Sequence, residues 1–127
     1  MSQSTLIFAG PDQPASAVRE VIESVLSGSF TFPAQDGEDP YLVHERADVY
    51  VGPHDHDDDE IAFPDGSWVP LHTRYPHRVE VRDIDRDIDR QQALACRIFD
   101  ALRADGRWRL VYVDDMQSVL DSFQPAI

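Results

Sequence analysis

The spacing of apolar residues along this chain changes twice from strand-like to helix-like, and this change limits the possible folds more than any other feature. An apolar run at residues 5–9 stops before Pro11 and predicts a short buried strand. Apolar residues then recur at helical spacing over residues 14–28, with Gly28 as the expected stop. The same order of strand and helix returns over residues 77–106. Two such units predict one sheet with both main helices on a single face.

The second unit carries the clearer end signals. Strand-like alternation resumes at residues 77–81, and Asp89 with Gln92 has the spacing of a capping box at the start of a helix. Gly106 predicts the end of that helix, and the run at 108–113 predicts the strand that follows it. Four apolar residues beyond this strand have helical spacing and predict a short C-terminal helix: Met116, Val119, Leu120 and Phe123.

The middle of the chain predicts further strands. Residues 41–51 alternate with a period of two, which fits either one long strand or a hairpin that turns near Glu45 and Arg46. The alternation at residues 30–32 predicts another short strand.

Residues 52–76 have no sustained periodicity and predict a long loop, with a short strand at 68–71. A chain of 127 residues suits one hydrophobic core. We therefore expect a single α+β domain over residues 1–127. Its expected parts are a mixed, mainly antiparallel sheet, two main helices on one face in a ferredoxin-like outline, and a short C-terminal helix.

Acidic residues outnumber basic ones by 24 to 11, which gives a formal net charge of -13 at pH 7. Such a field repels phosphate backbones and anionic lipid surfaces, so we expect no nucleic acid and no membrane among the partners. The charge favours a basic protein partner. The expected contact residues are the exposed aromatic and the acids of the irregular segment: Trp68, Asp57, Asp58 and Asp59.

The single cysteine excludes an intrachain disulfide and therefore a secreted, disulfide-stapled scaffold. The apolar run near the start follows no positive charge and is too short for a signal peptide, so we expect a cytoplasmic protein. Cys96 stands among the apolar residues of the second helix, where a buried and unreactive thiol is expected. The sequence contains no lysine and no nucleophile-elbow motif, which argues against several classes of enzyme.

A run of histidines and acids at residues 54–60 is the densest set of metal-ligand types in the chain. Zinc and similar divalent metals favour imidazole and carboxylate ligands, and His44 or His77 could join such a set from neighbouring strands. The alternative is a solvated acidic loop that binds no cofactor. The main candidate ligands are His54, His56, Glu60 and His72.

Alternating aspartates at residues 83–89 resemble the first ligand positions of a helix-loop-helix calcium site. Ile88 stands where such a loop needs glycine, and Leu94 stands where it needs a bidentate glutamate, so an EF-hand is excluded. The pattern instead predicts aspartates that cap the second helix, with Arg86 and Arg90 paired to neighbouring acids.

Three hypotheses of different classes follow. The first is a non-enzymatic protein-binding or inhibitory module, similar in kind to an immunity protein, that engages a basic partner. The second is a small metal-binding module or metal-dependent enzyme built on the run at 54–60. The third is a homodimer with a structural or accessory role.

Overall fold

A computed structural model describes residues 5–10, 14–33, 39–53, 60–62, 66, 68–70, 75–114 and 118–123. Two helices lie in these ranges: α1 (Ala15–Leu26) and α2 (Ile88–Asp105). Eight strands lie in the same ranges: β1 (Thr5–Gly10), β2 (Tyr41–His44), β3 (Ala47–Pro53), β4 (Glu60–Ala62), β5 (Trp68–Pro70), β6 (His77–Asp83), β7 (Arg109–Asp114) and β8 (Ser118–Phe123). Neither of these helices is long and apolar enough to cross a membrane.

Six strands form one antiparallel sheet in the order β2-β3-β6-β1-β7-β8, and β4 pairs with β5 in a separate two-stranded sheet. β1 is central and pairs with β6 on one side and with β7 on the other. The α+β class predicted from the sequence is confirmed. The ferredoxin-like outline is not confirmed.

Both helices pack on one face of the six-stranded sheet, α1 against β3 and α2 against β1, β6 and β7. Alternate strand positions supply the buried layer beneath them: Ile7 on β1 lies opposite Val79 on β6 and Tyr112 on β7. Ile22 of α1 and Ile98 of α2 are fully buried in the same core. The apolar positions that recur every two residues on the strands and every 3.6 residues on the helices therefore pack together in a single layer.

The opposite face of the sheet is divided into two halves. Phe8, Val111 and Val113 point away from the helices and are fully buried, so the half formed by β1 and β7 is covered. β4 packs beside β8 at that side of the sheet. The half formed by β2, β3 and β6 carries polar and aromatic side chains instead.

The end of α1 differs from the sequence prediction by one residue. Ser27, in a left-handed conformation (φ 57), caps the helix in place of Gly28. A Cβ at Gly28 would lie 3.4 Å from the side chain of Leu42, which is an ordinary packing distance.

Asp87, rather than Asp89, caps α2. The backbone of Asp87 is extended, and its Oδ1 accepts a hydrogen bond from the backbone N–H of Arg90 at 3.1 Å. Asp89 lies inside the first turn, where its charge complements the helix dipole. Gly106 ends α2 in a left-handed conformation (φ 80), as the sequence predicts.

A strand replaces the C-terminal helix expected from the sequence. Residues Ser118–Phe123 form β8, which runs antiparallel to β7 with Leu110 opposite Phe123. Without β8, β7 would be an edge strand with a row of unpaired backbone groups. Pairing along this edge overrides the helical spacing of the segment.

The middle of the chain forms a hairpin, which was one of the two alternatives that the sequence left open. Residues 41–53 form a hairpin, with Glu45 in a left-handed conformation (φ 54) at the turn between β2 and β3. Residues 30–32 contribute one isolated bridge, from Thr31 to Tyr41, rather than a strand. β4 and β5 lie within the segment expected to be a long loop, and β5 matches its predicted short strand.

Candidate binding pocket on the open face of the sheet

An open pocket of about 490 Å³ lies on the uncovered half of the sheet, on the side away from the helices. Its lining comes from β2, β3, β6 and the segment that leads into β2. We call it the open-face pocket, defined by Pro33, Asp39, Tyr41, Asp48, Tyr50, Glu80 and Arg82.

Strand register explains why these side chains meet. Tyr50 lies opposite Tyr41 on β2 and opposite Glu80 on β6. Asp48, two residues before Tyr50, lies on the same face of β3 and opposite Arg82. Direct cross-strand neighbours have Cβ atoms about 4.5–5.5 Å apart, so the pocket floor is one continuous patch of paired side chains.

Two tyrosine rings form one side of the pocket. The ring centroids of Tyr41 and Tyr50 are 6.3 Å apart, and the ring planes meet at 45°. Val43, opposite Asp48 on the next rung, is 57% exposed and extends this apolar surface toward the edge of the sheet. The pocket therefore combines aromatic surface with carboxylates.

Two of the three carboxylates in the lining are paired with guanidinium groups. Arg82 Nη2 donates to Glu80 at 2.6 Å, and Arg78 Nη2 donates to Asp39 at 2.9 Å. Within the described part of the chain, the Asp48 carboxylate accepts one side-chain hydrogen bond, a long one of 3.4 Å from the Tyr50 hydroxyl. Among the described residues, Asp48 is thus the carboxylate of the pocket that forms no ion pair with an arginine.

Gly52 makes room for the Asp39 side chain. The Asp39 carboxylate occupies the place where a Cβ on Gly52 would lie. Gly52 is also opposite Arg78 in the register of β3 and β6, so Asp39 reaches its arginine partner across the glycine. A glycine inside a strand often marks such a close approach.

The field inside the pocket acts on Tyr50. Partial burial, and next the nearby Asp48 carboxylate, raise the pKa of the Tyr50 phenol, while Arg82 opposes them. Both of the raising causes disfavour the phenolate, because one removes water from it and the other places a like charge beside it. The negative charge of Asp48 therefore affects the ionisation of the tyrosine beside it.

A second cluster of charges lies at the other side of the sheet, where β6 leads into α2. The side chain of Asp83 is fully buried and accepts hydrogen bonds from Arg90 Nε at 2.6 Å and Nη2 at 2.9 Å. It also accepts the backbone N–H groups of Asp85 and Asp87, at 2.9 and 3.1 Å. The Arg90 guanidinium and these N–H groups hold the pKa of Asp83 far below its usual range, although burial opposes them.

Asp85 continues this cluster outward. Arg46 donates to both of its carboxylate oxygens, at 2.7 and 2.9 Å, and Arg90 donates to one of them at 2.9 Å. The Arg46 hydrogen bond is the largest cause that lowers the pKa of Asp85. A cavity of about 140 Å³ lies beside the cluster, but Arg46 and Arg90 are already engaged by carboxylates. We therefore assign this cluster to holding the start of α2.

Trp68 is the predicted contact residue that the structure describes in full. Its side chain is 64% exposed on β5, so the expected exposure is confirmed. β4, the partner of β5, packs beside β8, which is the opposite edge of the sheet from β2. Its role in partner binding stays a prediction, and the other predicted contact residues, Asp57, Asp58 and Asp59, lie outside the described residues.

The predicted metal ligands are placed only in part. Glu60 begins β4, with its backbone opposite Pro70, and His54, His56 and His72 lie outside the described residues. Within the described ranges, no three His, Cys, Asp or Glu residues are grouped so that they could hold a metal ion.

The structure separates the two supporting histidines. His44 lies opposite Ala47 at one end of β3, whereas His77 lies opposite Pro53 at the other. Six residues of strand span about 20 Å at 3.3–3.4 Å per residue, so these two imidazoles do not share a metal. His77 is the one beside Pro53, the residue that precedes His54.

Cys96 differs from the expectation. The residue is exposed on α2 rather than buried, with Sγ 3.8 Å from the Tyr112 hydroxyl. The neighbouring Ala95 belongs to the buried stripe of α2, whereas Cys96 lies beside that stripe and faces outward.

No protein-family model, curated protein or solved structure matches this chain.

Proposed function

We propose that the protein is a non-enzymatic binding module, inhibitory in the manner of an immunity protein, that engages a basic protein through the open-face pocket. The observation that carries this proposal is the combination of Asp48, Tyr41 and Tyr50 on an uncovered half of the sheet. Carboxylates attract cationic side chains, and tyrosines supply rigid contact area with little entropy to lose.

The net charge supports the same partner. A formal charge of -13 accelerates the approach of a basic protein and repels acidic ones. The effect is screened beyond a Debye length of about 8 Å at physiological salt, so it steers the encounter while the pocket provides the short-range contacts. A small acidic domain of this kind blocks a cationic surface by covering it.

The test uses an oligo-arginine peptide as a basic probe and backbone amide NMR as the readout. We expect chemical-shift changes on β2, β3 and β6, few on α1 and α2, and binding that weakens steeply as salt is raised. An oligo-glutamate peptide should produce no change.

Two pairs of substitutions separate the pocket from the overall charge. Asp48→Asn with Glu80→Gln removes two charges from the pocket, and Glu20→Gln with Asp100→Asn removes two exposed charges from the helices. We expect the first pair to weaken oligo-arginine binding much more than the second. Equal weakening by both pairs, or shifts centred on the helices, would show that the pocket is not the binding surface.

The second candidate is a divalent-metal module that uses His54, His56, Glu60 and His72. One placement favours it, because β6 brings His77 opposite Pro53 and so beside the start of the histidine run. Elemental analysis of the purified protein and of a His54→Ala, His56→Ala variant tests it. Stoichiometric zinc that the substitutions abolish would support it, and absence of metal would reject it.

Two further expectations belong to this proposal. The single cysteine fits a cytoplasmic location, which fractionation of the source cells can check. A homodimer can be tested by light scattering across protein concentration, with a mass that rises above 14.4 kDa as the positive result.

A further inference from the structure

We infer that the open-face pocket takes the guanidinium of a single arginine side chain, held between the Asp48 carboxylate and the rings of Tyr41 and Tyr50. This inference rests on the proposed function, since it names the chemical group through which a basic partner is recognised. Its basis is that Asp39 and Glu80 form ion pairs with arginines of the protein, whereas the hydrogen bond of Asp48 within the described residues is to the Tyr50 hydroxyl.

Asp48 has the acceptor capacity that such a ligand needs. Arg82 lies directly opposite it in the register, yet the Arg82 guanidinium turns along its own strand and pairs with Glu80 at 2.6 Å. A carboxylate offers about four lone-pair sites, and the long 3.4 Å contact from the Tyr50 hydroxyl uses at most one of them. A guanidinium can therefore bind Asp48 through two parallel N–H donors.

The tyrosines provide the second half of the site. A cation is attracted to a ring face when it lies within about 6 Å of the ring centroid. The same chain already uses this contact elsewhere: the guanidinium carbon of Arg19 is 5.0 Å from the centroid of Phe32. With centroids 6.3 Å apart and planes at 45°, Tyr41 and Tyr50 present adjoining surfaces that one planar group can touch together.

Size and shape favour arginine. A volume of about 490 Å³ falls within the range of about 300–1,000 Å³ that is usual for small-ligand pockets, enough for one long side chain and its adjoining backbone. A guanidinium is planar, weakly hydrated and able to stack while it donates in a fork, whereas an ammonium is a compact and strongly hydrated charge. A second copy of this chain is disfavoured as the occupant, because both copies carry the same net charge of -13.

The test compares three capped tripeptides, Ala-Arg-Ala, Ala-Lys-Ala and Ala-citrulline-Ala, by backbone and tyrosine side-chain NMR on the full chain. We expect the arginine peptide to shift Tyr41, Asp48 and Tyr50, the lysine peptide to bind more weakly, and the uncharged citrulline peptide to cause no shift. If the lysine or the citrulline peptide bound as tightly as the arginine peptide, the inference would be overturned, because the site would then not be selective for a charged planar group.

Variants locate the contact. Asp48→Asn should weaken binding of the arginine peptide by about tenfold or more, which is the effect of losing a hydrogen bond to a charged group. Tyr41→Leu removes one ring and leaves all charges in place, so it serves as a second variant if Asp48→Asn unfolds. Glu20→Gln is the matched control for charge and should bind as the parent does. Unchanged affinity in both pocket variants would overturn the inference.

Two outcomes separate this inference from the proposed function. If oligo-arginine binds at β2, β3 and β6 but the single-arginine peptide does not, the basic-partner proposal stands and the arginine site is rejected. If neither probe shifts these strands, both are rejected. N-acetylagmatine, whose only charge is a guanidinium, is a further arm that lacks the flanking peptide backbone: it should bind more weakly than the peptide, and equal affinity would overturn the assignment to a protein side chain.

Discussion

The buried carboxylate of Asp83 is bound in a fork by the guanidinium of Arg90, at 2.6 Å from Nε and 2.9 Å from Nη2. Asp83 ends β6 and Arg90 lies in the first turn of α2, so this pair fastens the start of the helix to the sheet. Backbone N–H groups of the connecting turn complete the coordination of the carboxylate. The folded structure therefore stabilises the ionised form of Asp83.

The stability of the protein should fall in acid because of this arrangement. The folded-state pKa values of Asp83 and Asp85 are lowered, by Arg90 and Arg46 respectively, so their contribution is present above the unfolded pKa of about 3.9. It should be lost progressively as the pH falls below that value, because the unfolded chain binds protons on these carboxylates more readily than the folded protein does, and this proton uptake favours unfolding. Urea unfolding at a series of pH values between neutral and strongly acidic measures this loss.

Asp83→Asn is the matched variant for the acid effect. It should be less stable than the parent at neutral pH. It should also lose less stability on acidification, because it lacks the carboxylate whose folded-state pKa Arg90 lowers. Asp100→Asn, which alters an exposed helical acid, should follow the parent curve. Parallel curves for the parent and Asp83→Asn would contradict the assignment.

Gln91 should matter more for stability than its neighbour Gln92. Gln91 is buried, and its side chain accepts the Asp83 backbone N–H and donates to the Thr5 hydroxyl, both at 2.9 Å. Gln91→Met keeps the length of the side chain but leaves a buried donor unsatisfied, which costs about 1–3 kcal/mol of unfolding free energy. Gln92→Met should change it by no more than about 0.5 kcal/mol. Denaturant unfolding of the two variants decides the matter, and equal effects would contradict the bridging role.

The helices and central strands could be predicted from the sequence because their apolar spacing and their burial agree. The pattern around Ile22 and Ile98 is helical, and both residues lie in the core. The segment ending at Phe123 could not be predicted, because its spacing favours a helix while the open edge of β7 favours a strand. The strand therefore depends on pairing with β7 rather than on the apolar spacing of the segment itself.

The open-face pocket could not be predicted from the sequence either, because it depends on a turn between two strands. Tyr41 is at an odd position and Tyr50 at an even one, so a period of two along one strand assigns them to opposite faces. The two-residue turn at Glu45 and Arg46 reverses this parity and places both rings on the same face. The sequence left open whether residues 41–51 turn at all, and the pocket depends on that turn.

Gly52→Ala should disturb the pocket without unfolding the protein. An added Cβ takes the place of the Asp39 carboxylate and should push it away from Arg78. Because the lost ion pair is partly exposed, we expect a stability loss of about 1 kcal/mol or less. Amide and side-chain NMR shifts should change at Asp39 and Arg78. Gly106→Ala is the contrasting variant: it has open space around it but a φ of 80, so it should cost stability and leave the pocket shifts unchanged.

Tyr50 reports the charge of the pocket directly. Burial and Asp48 raise its pKa, so Asp48→Asn should lower that pKa toward the ordinary value of about 10, but not fully, because burial is the larger cause and remains. The stabilising contribution of Tyr50 is full below the unfolded pKa and is lost as the pH rises through the folded one. NMR titration of the Tyr50 ring in alkaline solution measures the shift, and Glu20→Gln should leave it in place.

The same titration links the field of the pocket to its ligand. A guanidinium seated beside Tyr50 stabilises the phenolate, so the capped arginine peptide should lower the pKa of Tyr50 in the parent protein. The lowering should be smaller in Asp48→Asn, because the peptide binds that variant less. If Asp48→Asn changed the pKa of Tyr50 but the peptide did not, Asp48 would be shown to act on Tyr50. The guanidinium of the peptide would then bind elsewhere.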